Sequence, residues 1–203
     1  MKTLLIVLVV VLLPVLIVGG CAMGQYNGIV SKETNVEAKW AIVQNQYKRR
    51  ADLIPQLVDT VKGAKNFEQQ TLTKVTEARS AVTKIEVPES VMKDPDAAER
   101  LVRAQQGLSG ALRQLFAVAE NYPELKATSA FRDLQVQIEG TENRVAVARN
   151  EFVEAVQEFN LAVRTFPGNI AARFMGKQEM KQLHFDESEQ ELAKPPKIGF
   201  GDK

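Results

Sequence analysis

From Ile29 onward, apolar residues recur three or four places apart: Ile29, Val36, Trp40, Val43 and Tyr47, then Ile54, Leu57, Val58 and Val61. Lys32, Glu33, Glu37, Lys39 and Lys48 take the other faces. This is the period of a helix with one core-facing stripe. Pro55 interrupts it, and two outcomes fit. Asp52 caps a new turn with Pro55 still inside its first turn, or one long helix bends there. Gly63 marks a stop, and Asn66 followed by Gln69 resembles a capping box for a second helix carrying Phe67, Val75, Ala78, Val82 and Ile85. The stretch "EVPESVMKDPDAAE" reads as a loop, with Asp94-Pro95 as N-cap and first-turn pair of a third helix. That helix shows Leu101, Leu108, Leu112, Leu115, Ala119 and Tyr122. Pro123 opens a short connection, and a fourth helix runs from about Ser129 to Thr165, striped by Phe131, Leu134, Ile138, Val145, Phe152, Val156, Phe159 and Val163. "NIAARFMG" predicts one or two further turns, stopped by Gly176. Residues 177–203 read as an extended or disordered tail, acidic in "DESEQE". Strand alternation and internal repeats are absent. Four stripes that each need a partner face predict an all-α helix bundle over residues 26–176.

Ahead of the bundle, Leu4 to Met23 forms an uncharged run of 20 residues. As a helix it would span about 30 Å, enough for a bilayer core. Two readings of residues 1–21 follow: a transmembrane anchor, or a processed signal. Lys2, the apolar stretch Leu4 to Val18 and the Val18-Gly19-Gly20-Cys21 end favour the second, because small residues before a cysteine resemble a bacterial lipobox. Cys21 would then carry lipid and become the new N-terminus; several acyl chains hold a protein stably on a membrane. In either case the body faces away from Lys2, toward the extracytoplasmic side. Cys21 is the only cysteine, so no disulfide forms within the chain and the fold rests on its core.

Charge and chemistry narrow the rest by subtraction. The net charge is +1 and mixed in sign along the chain, which argues against a nucleic-acid partner. His184, the single histidine, sits in the tail and cannot supply the paired Glu-x-x-His motifs of a di-iron bundle. "GLSGA", residues 107–111, lacks the second glycine of a nucleophile elbow. Glu139 and Glu142 share a helix face and would hold a hard cation only weakly; such carboxylates usually pair with Lys or Arg. No catalytic residue, metal site or cofactor is expected. Two polar clusters stand out: Arg49, Arg50 and Asp52 beside the proline break, and Glu142, Arg149 and Asn150 on the fourth helix. They read either as an interhelical network, with Arg50 or Arg49 paired to Glu142, or as a surface for a partner.

At these clusters the chain resembles the LemA family of bacterial envelope proteins. The resemblance rests on "YNGIVSKETNVEAKWAIVQNQYKRRADLIPQLVDTVKG", "TLTKVTEARSAV", "NYPELKATSAFRDLQVQIEGTENRVAVARNEFVEAVQEFN" and "FPGNIAARFMG". The family pattern has Tyr after Lys-Gly and a Tyr-Asn pair in the fourth helix; here Ala64, Phe152-Val153 and Phe159-Asn160 stand in those regions. The resemblance implies an up-and-down four-helix bundle, tethered at its N-terminus outside the cytoplasm, with no established activity. It also implies a membrane assembly. The expected function is therefore that of a non-enzymatic, envelope-anchored protein that binds or organises another envelope component, its partners being the membrane and an unidentified envelope protein. A membrane-active helical protein, and behind it a hydrolase or metal enzyme, are the alternatives.

Overall fold

The computed structural model describes residues 2–85, 94–181, 183 and 185, with side chains described from Leu12 onward except at 14, 15, 17 and 18. All regular structure among them is helical: α1 (Lys2–Lys62), α2 (Gln69–Thr83), α3 (Pro95–Ala119), α4 (Pro123–Ala127), α5 (Ser129–Arg164) and α6 (Gly168–Phe174). The residues read as the α2–α3 loop, 86–93, the tail from 186 on and His184 lie outside the described residues. Among the described residues no helix is long and apolar enough to cross a membrane. The Leu4–Met23 run enters α1 by its backbone, and most of its side chains fall outside the description.

The main pairing is α1 against α5. Lys32 meets Glu158 at 3.0 Å, Lys39 meets Glu151 at 2.8 Å, and Arg50 meets Glu142 at 2.5 Å. Numbers rise on one helix as they fall on the other, so the pair is antiparallel. α2 returns along α1 and packs on α3, while α4 and α6 close onto the ends of α5. One apolar core joins the elements, and its largest fully buried side chains include Trp40, Tyr47, Phe131, Phe152 and Phe159. Trp40 and Phe152 stack across the α1–α5 seam with ring centroids 5.2 Å apart, worth about 0.5–1.5 kcal/mol beyond burial. Phe116 meets Phe131 edge-on at 6.1 Å.

Pro55 neither splits nor caps a helix; α1 runs through it without interruption. The physical problem is the carbonyl of Ala51, four residues upstream, which loses its helical donor because proline has no N–H. Ala51 is buried, so water cannot serve it freely. Arg79 of α2 solves the problem by donating its Nε–H to the Ala51 oxygen at 3.0 Å. A neighbouring helix thus completes the ladder of α1.

Element ends follow local chemistry, with one departure. Asp94 caps α3 by accepting from the Ala97 amide at 2.8 Å, with Pro95 in the first turn, and Thr128 caps α5. The capping box expected at Asn66 and Gln69 does not form. Glu68 holds the N-cap position of α2 without a side-chain cap, and Asn66 turns into the left-handed region at φ 63°. Asparagine tolerates that conformation, and the Asn66 carbonyl accepts from the Tyr122 hydroxyl at 2.9 Å. Tyr122 also stacks on Phe67 at 4.9 Å, so the α1–α2 turn is fixed from the α3–α4 side.

Glycine is required where α5 turns into α6. A Cβ on Gly168 would stand 2.1 Å from the Ala162 carbonyl oxygen, inside any tolerable contact, and would also approach Gln25 of α1. At the other end of α6, Gly176 takes φ 65°; the Lys177 amide reaches back to Ala172 O at 2.8 Å and the Gly176 amide to Arg173 O at 3.3 Å. These two bonds satisfy carbonyls that the helix end would otherwise leave open.

Beyond Gly176, part of the segment read as tail packs on the body. Met180 and Leu183 are buried and Phe185 lies against the core. Asn160 of α5 holds the Met180 backbone at both groups, accepting from its amide at 2.7 Å and donating to its carbonyl at 3.0 Å. Gln106 donates to the Phe185 carbonyl at 3.0 Å, and Lys181 pairs with Glu99 at 2.9 Å.

Candidate functional site

Each core stripe follows a three-four alternation, the period of helices packed nearly parallel in their axes. On α1 it runs Val36, Trp40, Val43, Tyr47, Arg50, Ile54, Leu57, Val61. On α3 it runs Leu101, Gln105, Leu108, Leu112, Leu115, Ala119, and on α5 Leu134, Ile138, Thr141, Val145, Ala148, Phe152. The register therefore places Arg50, Gln105 and Thr141 at positions that must face the core. All three are fully buried.

Arg50 is the centre. Its Nη1 donates to Glu142 Oε1 and, at 2.9 Å, to Ser109 Oγ; its Nη2 donates to the Gln105 side-chain oxygen and, at 3.2 Å, to the Gln105 carbonyl. Ser109 Oγ in turn donates to Glu142 Oε1 at 2.8 Å. Three helices, α1, α3 and α5, are thereby pinned to one guanidinium. The Arg50 side chain is 0% exposed while that of Glu142 is 40% exposed, so the charge pair spans the core and its rim. Burial pushes the Arg50 pKa below its ordinary value, against the opposing pull of Glu142. The group stays protonated all the same, because arginine starts so high. Arg50 Nε and Gln105 Nε2 are buried without a protein partner among the described residues.

A second arginine extends the layer. Arg149 donates from Nε to the Tyr47 hydroxyl at 3.0 Å, and its guanidinium lies 5.4 Å from the Tyr47 ring centre and 5.4 Å from that of Phe185. Arg50 stands 6.0 Å from the centre of the same Tyr47 ring. Desolvation raises the Tyr47 pKa above its usual value despite the two arginines, which pull the other way.

Of the residues singled out from sequence, the structure brings Arg50, Glu142 and Arg149 into this layer. Arg49, Asp52 and Asn150 are exposed and stand outside it. Glu139 accepts from Gln135 at 2.9 Å while Glu142 is engaged by Arg50, so the two carboxylates are committed to different partners. Among the described residues no three His, Cys, Asp or Glu side chains come together to hold a metal ion. Gln105 and Ser109 were missed because single polar residues in a leucine-rich helix attract no motif. The signal was the seven-residue gap in the α3 stripe between Leu101 and Leu108, which Gln105 fills at the required spacing.

The polar layer lies within a stretch that also decides the kinship of the chain: residues 39–200 match the model of the LemA family. The chain belongs to the LemA family. Protein LemA of Metamycoplasma hominis is 26% identical over 151 residues, which cover 74% of this chain and 65% of that protein. Magnetosome protein MamQ of Magnetospirillum gryphiswaldense is 22% identical over 176 residues, 79% of this chain and 65% of its own length. Magnetosome protein MamQ 1 of Paramagnetospirillum magneticum is 22% identical over 168 residues, 75% of this chain and 62% of its own. The chain thus spans somewhat less than two thirds of the LemA and MamQ proteins it matches. In this LemA-family chain the arginine layer ties α1, α3 and α5 together through the bonds of one guanidinium.

Proposed function

We propose that this LemA-family protein is a non-enzymatic component of the bacterial cell envelope, held at the membrane by residues upstream of its bundle and binding another envelope component through its outer helix faces. The observation that carries the reading is the continuity of α1. The same helix that carries Cys21 supplies Trp40, Tyr47 and Arg50 to the core, so the body turns as one piece with its point of attachment. The four long helices α1, α2, α3 and α5 form an up-and-down bundle in this reading. Among the described residues the interior is filled by side chains, and most of the bonding groups of the Arg50 layer are taken up by the helices themselves. Binding therefore falls to the outside. The kinship with a protein named for the magnetosome supports a place in a membrane-linked assembly.

Attachment is through lipid on Cys21, which lies exposed and unpaired on α1 with nothing within 4 Å of the Cβ positions of Gly19 and Gly20. The bundle faces the extracytoplasmic side. The test has two parts. Fractionation should place the native chain with membranes, and intact mass should show a mature protein beginning at a lipid-modified Cys21; Cys21→Ser should leave uncut precursor. A native protein that retains Met1 overturns lipidation in favour of a spanning helix. A chain recovered only in the soluble fraction overturns the envelope reading itself. A photo-reactive residue at exposed Arg113 of α3 or Val136 of α5 should then couple one envelope protein from one face only.

A further inference from the structure

The short helix α6 and Phe166 just before it carry large apolar side chains that none of the described residues covers. Phe174 is 90% exposed, Phe166 78% and Ile170 50%. Ile170 and Phe174 are four residues apart on one helical face, and with Asn169 and Arg173 they border a shallow open concavity. A soluble surface rarely groups side chains of this size without an occupant.

The position of α6 along α1 identifies that occupant. α6 packs on both α1 and α5, and Gly168 at its start approaches Gln25. The apolar run ends at Met23, two residues before Gln25, which is about 3 Å along a helix axis. Met23 and Tyr26 of α1 are themselves exposed at this end, whereas the first deeply buried residue of α1 among those whose side chains are described is Ile29. α6 therefore sits at the level where the chain passes from a run suited to lipid into a body suited to water. Arg173, in the last turn of α6, is exposed beside the apolar side chains, and Arg164, in the last turn of α5, is exposed in a loose pair with Glu179 at 3.9 Å; an exposed cation at this place meets headgroups while Phe and Ile enter the acyl boundary.

We propose that α6 and the turn before it are a second membrane contact: the Phe166, Ile170 and Phe174 side chains insert into the interfacial layer of an anionic bilayer beside the attached end of α1. This rests on the reading that the residues upstream of the bundle are held in that membrane. Two contacts fix the tilt of the body on the membrane, which acyl chains on Cys21 alone would leave free.

The experiment uses the full chain carrying Phe174→Trp, reconstituted into phosphatidylcholine and phosphatidylglycerol vesicles with brominated acyl chains. Trp40, fully buried in the core, serves as the unquenched internal reference. The new tryptophan should emit to the blue of its value in water and lose roughly half or more of its intensity to bromine, as expected for a ring seated at the acyl boundary. A control, Val136→Trp on an exposed site of α5, should show neither effect. If the vesicles carry the protein on flotation but the Phe174→Trp emission stays water-like, the α6 contact is overturned and the anchor stands. A chain that does not float overturns both. A blue shift without bromine quenching that grows with protein density replaces the bilayer by a second copy of this chain.

Discussion

Arg50 shows why a single polar residue can matter more than its net energy. Moving a guanidinium into the core opposes folding, and the bonds to Glu142, Ser109 and Gln105 offset this only while all partners stay in place. Arg50→Met should therefore be milder than Glu142→Ala. The first removes the charge and fills its space, leaving neutral partners and a carboxylate that reaches water. The second leaves a buried cation with three of its four acceptors and no counter-charge, at a cost of about 3–5 kcal/mol. Urea denaturation of both single variants and the double variant checks this order, and a cycle without coupling would remove the pair from the account. Tyr47 adds a pH dependence. Its folded pKa lies above its unfolded value, so the native state keeps the proton longer. The associated stability is fully present below the unfolded pKa of about 10 and is lost as pH rises through the folded value. Thermal melts should fall in this alkaline window, and Tyr47→Phe should flatten that part of the profile.

At the scale of the helix, Pro55 and Arg79 form one device. A proline inside a helix of this length should bend or break it, and the sequence alone left both outcomes open. What it could not show was a donor supplied from 28 residues away in sequence. Arg79 occupies a core-register position of α2, four residues after Val75 and three before Val82, and only the fold reveals that this position faces the Ala51 carbonyl. Arg79→Leu should cost about 1–3 kcal/mol, the penalty for leaving a buried carbonyl unserved. In a Pro55→Ala background the helix regains its own N–H donor, and the same Arg79 change should cost less. Equal costs in both backgrounds, measured by denaturant titration, would separate the two residues. The long stripes of α1, α3 and α5 were legible because their period persists over many turns. The start of α2 was not, since Asn66 adopts a left-handed turn set by Tyr122, a residue beyond α3.

For the molecule as a whole, the body does not end where the last helix ends. Gly176 looks like a terminus in sequence because glycine stops helices and acidic residues follow. The few apolar residues between, Met180, Leu183 and Phe185, lack a period and gave no signal, yet they pack on α5 and α3. A body of residues 26–185 should melt cooperatively and unchanged by chelator. One ending at 176 should melt lower, because Met180 and Leu183 each contribute about 1.5–3 kcal/mol when buried. Circular dichroism of the two forms decides it, and equal melting points would show that the segment rides on the body without supporting it.

The unbroken course of α1 past Gln25 also makes it a drive shaft. Every residue in a helix turns the next by about 100° and advances it by about 1.5 Å. Distance from the point of attachment and compass heading of the body are therefore one variable. A single residue inserted between Gly24 and Ile29 would swing the α6 face a quarter turn or more away from its present direction while scarcely raising it. Seven inserted residues would restore the heading to within about 20° but lift the body by roughly 10 Å. Chains that keep their number of residues between Cys21 and Ile29 keep both settings, and chains that change it must choose which one to give up.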